Sequence, residues 1–290
     1  MVTKKCRIYA ACGVSQTPSK FDYERKCTMI KLIASDMDGT LLPEGTNRIN
    51  PEIYDIIRAL QNKGITFVAA SGRNYESVMG VFGCMEDELT VISDNGGFVS
   101  RHGKELACNG FPRELLEEVV QAARKMPDVW IMASAARGTY TDQNHPKYVK
   151  WVREGYKMNI RIVDDLLSVD EPLIKVALYT YAADASTVAA PLREHFGDRV
   201  SIALAGERWV DMMVPGISKG QALSHIQQTL GITPEETAAF GDNGNDIPML
   251  RCAGESYAVA NARPEVKQAA KYLLGDVSEA PVLAQLKQYI

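Results

Sequence analysis

The sequence predicts an α/β protein in which a doubly wound, Rossmann-like parallel-sheet core carries an inserted α+β domain. Short apolar runs alternate with amphipathic helical patterns in residues 29–97, and the same alternation returns in residues 210–290. Apolar strands of this kind are typical of a parallel sheet that helices cover on both faces. The rhythm changes in residues 98–209, which we assign to the inserted domain. A chain of 290 residues also exceeds the usual size of a single hydrophobic core.

Residues 1–28 form an N-terminal extension that we expect to be poorly ordered. Lys4 and Lys5 precede a short apolar run that faintly resembles a secretory signal. That run is shorter than the roughly 7–15 apolar residues that such a signal requires. Polar and charged residues follow it, and the first apolar strand begins only after Met29.

The elements of the core follow in order along the chain. An apolar strand at residues 30–34 precedes a helix that Asn50 and Pro51 begin, as cap and first-turn proline. Ser218 and Gln221 have the spacing of a capping box at the start of a later helix. Further apolar strands are predicted at residues 65–70, 89–92, 237–240 and 257–259.

Within the inserted domain, fewer elements have a clear pattern. The sequence predicts one strand there, at residues 174–179, where the segment Ile-Lys-Val-Ala-Leu-Tyr is strand-like. Helices are predicted at residues 112–125 and 145–156, and a third ends near residue 196.

Composition and charge exclude several classes of function. The net charge of −4 and the lack of a basic run argue against nucleic-acid binding. No apolar stretch approaches the roughly 18–20 residues of a membrane span. The six cysteines show no C-x-x-C pair and no disulfide framework, so we expect a cytoplasmic protein. We expect a monomer or a homodimer.

Two carboxylates follow the first predicted strand. Asp36 and Asp38 are two residues apart, so on an extended segment their side chains point the same way. They suit a divalent cation, or a nucleophile beside a proton donor. The alternative is an ordinary turn, because Asp-Gly is a common turn dipeptide. A calcium-binding loop is excluded, since Leu41 and Asn47 stand where it needs a glycine and a glutamate.

Polar clusters also follow two other predicted strands, at Ser71 and at Asp242. Because the carboxyl ends of parallel strands form a common crevice, we expect these clusters to converge with Asp36 and Asp38. The three aspartates offer oxygen ligands to a cation such as Mg2+. Ser71 offers a neutral donor to phosphate, and Lys219 adds positive charge at a helix start. These groups suit phosphoryl transfer.

Other catalytic schemes lack their signatures. The chain has no Walker A, G-x-S-x-G or H-E-x-x-H pattern, and no cysteine has an arginine six positions later. The histidines form no ligand cluster and read as surface or packing residues; they are His102, His145, His195 and His225.

The ordered motifs resemble the four signatures of the haloacid dehalogenase-like hydrolase superfamily. Residues 93–97, 217–220 and 260–262 further resemble its Cof-like sugar-phosphatase branch. The insertion between Asn95 and Lys219 resembles a type II (IIB-like) cap. The signatures are Asp36-x-Asp38-Gly39-Thr40-Leu41, Ser71-Gly72-Arg73, Lys219 and Gly241-Asp242-x-x-Asn245-Asp246.

The resemblance implies a role for each aspartate. Asp36 is the implied nucleophile that forms an aspartyl-phosphate, and Asp38 is the implied proton donor and base. The implied Mg2+ ligands are Asp36, the backbone carbonyl of Asp38, and Asp242.

The resemblance also implies a set of phosphate-binding and supporting residues. Asp246 orients Lys219 or a metal-bound water, and Asn95 supports the site. Two alternatives stay open, because Arg73 and Asn245 could simply cap helices. The resemblance implies that Asn245 either contacts phosphate or braces Lys219. The implied phosphate-binding residues are Ser71, Gly72, Lys219 and Asn245.

The resulting expectation is a Mg2+-dependent phosphatase of small phosphorylated metabolites, sugar phosphates above all. A phosphosugar mutase using the same aspartyl-phosphate is an alternative, and a non-catalytic sugar-phosphate-binding regulator is a third. The substrate itself and the residues that select it stay open. Candidates on the inner surface of the cap, each of which could also be ordinary surface or cap core, are Arg137, Tyr140, His145 and Trp151.

Overall fold

The computed structural model describes residues 29–83, 85–136, 138–155, 158–182, 184–205 and 207–290. The predicted extension at residues 1–28 and the cap candidate Arg137 therefore lie outside the described residues. The described residues form fourteen strands: β1 (Leu32–Asp36), β2 (Thr66–Ala70), β3 (Thr90–Ser93), β4 (Phe98–Arg101), β5 (Lys104–Cys108), β6 (Val129–Ala135), β7 (Gly138–Thr141), β8 (Ile160–Ile162), β9 (Leu173–Thr180), β10 (Ser201–Leu204), β11 (Trp209–Met213), β12 (Thr237–Gly241), β13 (Glu255–Ala258) and β14 (Tyr272–Leu273).

The same residues form nine α-helices, joined by short 3-10 turns. They are α1 (Glu52–Asn62), α2 (Tyr75–Phe82), α3 (Arg113–Arg124), α4 (Pro146–Gly155), α5 (Ala185–Phe196), α6 (Lys219–Leu230), α7 (Ile247–Arg251), α8 (Pro264–Ala269) and α9 (Pro281–Leu286). Of the helices in this described part of the chain, none is long and apolar enough to cross a membrane.

The first sheet is the predicted parallel core. Its strand order is β14-β13-β12-β1-β2-β3-β4-β5, and the pairs from β14 to β3 are all parallel. The central strand β1 is buried along its whole length, which explains the apolar run Leu32-Ile33-Ala34 with which it begins. Helix α1 begins as predicted, with the Asn50 side chain accepting a hydrogen bond from the Glu52 amide at 3.1 Å. The α/β core with its parallel sheet is therefore confirmed.

The second sheet has the order β10-β11-β9-β6-β7-β8 and forms a separate cap domain. Its pairs are antiparallel except for β7 with β8. Helices α3 and α5 cover one face, where Val120 and Leu192 pack in one buried cluster with Ile131 and Leu178. Helix α4 covers part of the opposite face, where Trp130 and neighbouring aromatic rings gather.

The structure corrects both predicted boundaries of the inserted domain. Strands β4 and β5, placed in the cap by the boundary at residue 98, extend the core sheet instead, because β4 pairs with β3 and β5 pairs with β4. Strand β11 crosses the boundary at residue 209 and pairs with β9 in the cap sheet. Sequence composition does not encode these assignments, because the partner of a strand is distant along the chain. For the same reason only one of the six cap strands was predicted.

The two sheets meet at a junction that is partly apolar and partly polar. Phe98 of the core packs with Ile174 and Met213 of the cap in one buried cluster. The Asn74 side chain, which also caps α2, donates a hydrogen bond to the Thr139 hydroxyl at 2.6 Å. The cap sheet is thereby fixed beside the end of the core where β2 and β3 terminate.

Candidate active site

The centre of the site lies where β1 and β12 end. The two strands are parallel neighbours in register, with Ser35 opposite Phe240, so Asp36 and Asp242 reach the same edge of the sheet. Gly39 follows with a left-handed backbone at φ 82°, and a Cβ atom there would overlap the Asp242 carboxylate. Only glycine therefore allows this close approach of the two loops.

Three carboxylates surround one ammonium group at this edge. Asp36, Asp242 and Asp246 each place an oxygen within 4.8 Å of the others. The fully buried Lys219 donates to Asp36 Oδ1 at 2.6 Å and to Asp246 Oδ1 at 2.7 Å. Helix α6 delivers this lysine in its first turn, and the Ser218 hydroxyl caps the helix by accepting from the Gln221 amide. The cluster has two more negative than positive charges when all its groups are ionised.

Asp246 has a supporting position in this cluster. Its Oδ2 accepts hydrogen bonds from the backbone amides of Asp242 and Asn243, both at 3.0 Å, and its Oδ1 accepts from Lys219. Both oxygens are thus occupied by donors of the protein. Asp246 can orient Lys219 and the loop after β12, but it has little capacity left for a ligand.

Burial raises the pKa values of the Asp36 and Asp242 carboxyls, neither of which accepts backbone amides of the described residues as Asp246 does. The pKa of Asp36 lies well above its ordinary value because the group is buried and faces Asp246, and Lys219 offsets only part of this effect. Burial and the charge of Asp246 raise the pKa of Asp242 to about 6. Burial alone would lower the pKa of Lys219, but Asp246 and Asp36 outweigh it and raise the pKa above its ordinary value. The negative charge of Asp246 contributes to all three shifts in pKa.

The donor set fits a hard divalent cation. Asp36 Oδ2 is buried and has no hydrogen-bond partner in the described part of the chain. Asp242 Oδ1 accepts from the Thr40 hydroxyl at 3.1 Å. A buried, unpartnered carboxylate oxygen is costly unless a cation or a ligand satisfies it. Mg2+, which prefers oxygen ligands, would reduce that cost.

A second group of polar side chains lies next to this cluster. Ser71 directly follows β2, and its carbonyl accepts from the amide of Asn95 at 3.0 Å. Asn95 Oδ1 in turn accepts from the Asn245 side chain at 2.8 Å. Gly72 lies against Asn95, since an added Cβ atom would be 3.2 Å from Asn95 Oδ1. The structure therefore brings the predicted phosphate-binding residues Ser71, Gly72 and Asn245 together.

The structure contradicts the alternative in which Asn245 caps a helix. The cap of the 3-10 turn at residues 244–246 is Asn243, whose side chain accepts from the Gly244 amide. Asn245 also makes no bracing contact to Lys219, whose hydrogen bonds go to Asp36 and Asp246.

The carboxylate of Asp38 is not part of the three-carboxylate cluster and is bound by Arg73 instead. Arg73 binds it with two nitrogens, Nε to Oδ2 at 2.7 Å and Nη2 to Oδ1 at 2.5 Å. The same guanidinium donates to Asn47 Oδ1 at 2.6 Å and to the Thr46 carbonyl at 2.9 Å. Arg73 is therefore no helix cap, and Asn74 caps α2 instead. This bidentate pair is half-buried, which strengthens it relative to an exposed ion pair.

Sequence reasoning missed the contributions of Thr40, Arg73 and Lys175. The first two lie inside recognised motifs, and a signal for them existed in their position beside Asp38 and Ser71. Lys175 lies in the middle of β9, and its ammonium reaches the Gly72 carbonyl at 3.2 Å. No local pattern predicts that contact, because it joins residues of different domains.

The remaining cap candidates occupy different faces of the cap sheet. Tyr140 belongs to the buried cluster under α3 and α5, and its hydroxyl contacts Glu171 and Arg161. It is therefore cap core, as its alternative interpretation held. His145 and Trp151 lie beside Trp130 on the other face, with ring centroids 6.2 Å and 5.7 Å away.

Fold and site together define an enzyme with a parallel-sheet α/β core, a carboxylate–lysine centre at the ends of its parallel strands and an inserted cap. The chain belongs to the haloacid dehalogenase-like hydrolase family, which it matches over residues 33–286. It is 32% identical over 254 residues to the 5-amino-6-(5-phospho-D-ribitylamino)uracil phosphatase YbjI of Escherichia coli K12, covering 88% of this chain and 94% of that protein.

Solved structures of the family share the architecture. A haloacid dehalogenase-like hydrolase from Bacteroides thetaiotaomicron is 26% identical with a TM-score of 0.79, covering 90% of this chain and all of that one. The HAD subclass IIB sugar phosphatase BT4131 shares the fold at 22% identity and a TM-score of 0.73, covering 89% and 98% of the two chains. The expected resemblance to the superfamily and its capped branch is confirmed.

Proposed function

We propose that this protein is a Mg2+-dependent phosphatase that hydrolyses small phosphorylated metabolites, sugar and sugar-alcohol phosphates foremost, through an aspartyl-phosphate. The observation that carries the proposal is the buried Asp36 carboxylate, which Lys219 holds by Oδ1 while Oδ2 has no hydrogen-bond donor among the residues that the structure describes. A carboxylate fixed by one oxygen and open at the other suits attack on an incoming phosphorus.

The proposed first step is attack by Asp36 on phosphorus, with cleavage of the bond between phosphorus and the oxygen of the leaving alcohol. Asp38 gives that oxygen its proton. In the second step Asp38 accepts a proton from water, which attacks the phosphorus of the aspartyl-phosphate. The bond between phosphorus and the Asp36 oxygen breaks, which releases inorganic phosphate and restores the Asp36 carboxylate. Ser71 and Lys219 contact the phosphate oxygens, and Asp246 keeps Lys219 oriented.

Arg73 adds a condition to this sequence of steps. Asp38 is bound by Arg73 through both oxygens, so its carboxyl must exchange that contact before it reaches the leaving oxygen. Asp36 and Asp242 would hold Mg2+ together with the Asp38 carbonyl. When bound, Mg2+ neutralises charge on the phosphoryl oxygens and on the crowded carboxylates.

The substrate class rests on the relatives and on the cap. The relative YbjI acts on a phosphate ester of a sugar alcohol joined to a uracil. In this chain the cap sheet lies beside the loop of Ser71 and Gly72, which Lys175 contacts. Further along the face of the cap sheet that carries Lys175 lie the aromatic rings of Trp130, Tyr179 and Trp209. An aromatic surface near a phosphate site suits a phosphorylated polyol that carries an apolar or ring-shaped end.

The experiment that tests the proposal is a panel of phosphate esters with the purified full chain. Hexose phosphates, ribose 5-phosphate, 5-amino-6-(5-phospho-D-ribitylamino)uracil and p-nitrophenyl phosphate are incubated with Mg2+ or with EDTA. We expect inorganic phosphate release that EDTA abolishes and Mg2+ restores. Isomerisation of a sugar phosphate that depends on a bisphosphate would favour a mutase, and ligand binding without turnover of any ester would favour a regulator.

A further inference from the structure

The buried ion cluster at the junction of the two sheets is separate from the Asp36 centre. Lys175 of β9 is 8% exposed, and its ammonium lies 2.9 Å from Asp94 Oδ1 and 3.6 Å from Asp211 Oδ2. Asp94 belongs to the core, directly after β3, whereas Lys175 and Asp211 belong to the cap. The cluster therefore joins the domains through charges that are removed from water.

Electrostatics favour the charged form of the lysine in this cluster. Burial alone would lower the pKa of Lys175, but the carboxylates of Asp211 and Asp94 outweigh it and raise the pKa above its ordinary value. The pKa of Asp94 is raised by burial, which Lys175 partly offsets. A buried cation of this kind is expensive to form, so its position in the fold needs an explanation beyond stability.

The explanation lies in what the ammonium touches. Lys175 Nζ donates to the Gly72 carbonyl at 3.2 Å, in the middle of the loop of residues 71–73 that follows β2. The other two carbonyls of this loop accept backbone amides of the core: Asn95 donates to Ser71 at 3.0 Å, and Asp94 donates to Arg73 at 2.8 Å. The cap thus supplies the donor to the carbonyl of Gly72, and the core supplies the donors to the other two carbonyls of the loop.

Holding the Gly72 carbonyl also fixes the Ser71 hydroxyl. The peptide unit between Gly72 and Arg73 is planar, so its carbonyl and its N–H turn together. That N–H donates to Ser71 Oγ at 3.1 Å. A hydroxyl that accepts one hydrogen bond from a fixed donor keeps its own proton free to donate elsewhere, here toward phosphate.

Asp94 is placed for this contact by an unusual backbone. Asp94 and Asn95 both adopt left-handed conformations, at φ 46° and 57°. Such conformations cost free energy for residues other than glycine and persist where the surroundings demand them. The turn aims the amide of Asp94 at Arg73 and its carboxylate at Lys175, so one residue anchors both the loop and the cap lysine.

We propose that Lys175 is a positioning residue through which the cap fixes the Gly72–Arg73 peptide, and with it the Ser71 hydroxyl, so that phosphate affinity depends on the docked cap. The inference rests on the proposed function, because it takes Ser71 as a ligand of phosphate. Lys175 itself does not touch the reacting groups.

The test measures binding of inorganic phosphate by calorimetry in the presence of Mg2+, and KM and kcat with p-nitrophenyl phosphate. We expect Lys175→Met to weaken phosphate binding and to raise KM by about tenfold, the equivalent of roughly 1.4 kcal/mol, with a smaller change in kcat. The matched control is Lys150→Met, a cap-surface lysine that is 72% exposed. It should leave both constants within twofold of the wild type.

A double-mutant cycle with Ser71→Ala separates positioning from general damage. If Lys175 acts through Ser71, then Ser71→Ala should weaken phosphate binding much less in the Lys175→Met protein than in the wild type. Additive losses, or a Lys175→Met protein with unchanged phosphate affinity and KM, would overturn the inference.

Two further measurements keep the test decisive. If Lys175→Met does not fold, Lys175→Met combined with Asp94→Asn removes one buried charge of each sign, and the same tenfold loss is expected of it. A wild-type protein that binds phosphate but hydrolyses no ester would refute the proposed function alone. Phosphate binding that is insensitive to Lys175 in an active phosphatase would refute the positioning role alone.

Discussion

The two sheets of this molecule use their polar side chains in opposite ways. In the parallel core sheet the strands run in one direction, so Asp36, Ser71 and Asp242 collect at one edge, and a surplus of negative charge remains there. In the antiparallel cap sheet neighbouring strands end at opposite edges, and Lys175 and Asp211 instead project from one face toward the core. The core cluster has three carboxylates around one ammonium group, so negative charge remains for a ligand to neutralise. The junction has two carboxylates around one ammonium group, so its charges are more nearly balanced.

The two regions therefore support different functions. Buried carboxylates that outnumber the neighbouring positive charges cost free energy unless a cation or a substrate neutralises them. We therefore expect the chemistry to depend on the core. At the junction Lys175 pairs with the carboxylates of both Asp94 and Asp211, although Asp94 Oδ2 has no hydrogen-bond partner in the described residues, and we infer that this cluster holds groups in place. We therefore expect a substitution to lower activity more when the residue lies closer to the cluster of Asp36, Asp242 and Asp246.

The largest effect is expected at Asp36. Asp36→Asn should lower kcat/KM on the order of 10,000-fold or more, because a carboxamide cannot form the aspartyl-phosphate. Steady-state release of phosphate checks this result, and thermal unfolding verifies the fold. Asp55→Asn, an exposed aspartate on α1, is the matched control and should stay within twofold of the wild type. An active Asp36→Asn protein would contradict the assignment of Asp36 as the nucleophile.

A smaller, more specific effect is expected at Asp38. Asp38→Asn should slow turnover of alkyl phosphates by about 100- to 10,000-fold, since it removes the general acid. With p-nitrophenyl phosphate the leaving group needs no proton, so the first step should survive. Rapid-mixing kinetics should then show a burst of p-nitrophenol close to one equivalent of enzyme. Equal slowing of both substrate types without a burst would contradict the assigned role.

Asp242 tests the metal part of the comparison. Mg2+ should raise the unfolding temperature of the wild type, because it binds only the folded protein and neutralises the crowded carboxylates. Asp242→Asn should weaken apparent Mg2+ affinity by about 100-fold or more, and Thr40→Val, which removes only the hydrogen bond to Asp242, by about tenfold. Thermal scans across a Mg2+ titration measure both. A Mg2+ effect unchanged in Asp242→Asn would place the cation elsewhere.

The smallest effect is expected at Tyr140 in the cap. Tyr140→Phe removes its hydroxyl contacts to Glu171 and Arg161 on the face away from Trp130. The free energy of unfolding should fall by about 0.5–1.5 kcal/mol, and kcat and KM should not change. Chemical denaturation and the p-nitrophenyl phosphate assay check the two parts. A large rise in KM would mean that this face of the cap contacts substrate.

The sequence alone determined the local parts of this protein. Apolar strands that end in Asp36, Ser71 and Asp242, and a capped helix that starts at Lys219, are encoded by neighbouring residues, because strand periodicity and capping act over a few positions. The parallel core and its polar edge were therefore predictable.

The long-range contacts of this protein depend on tertiary packing. The addition of β4 and β5 to the core sheet, the turn of Asp38 toward Arg73, and the reach of Lys175 to Gly72 each join segments with no shared local signal. In each case the outcome depends on which partner lies within a few ångströms after folding. Hydrogen bonds and buried ion pairs select among such partners only when the chain is packed, so these contacts emerge from the fold as a whole.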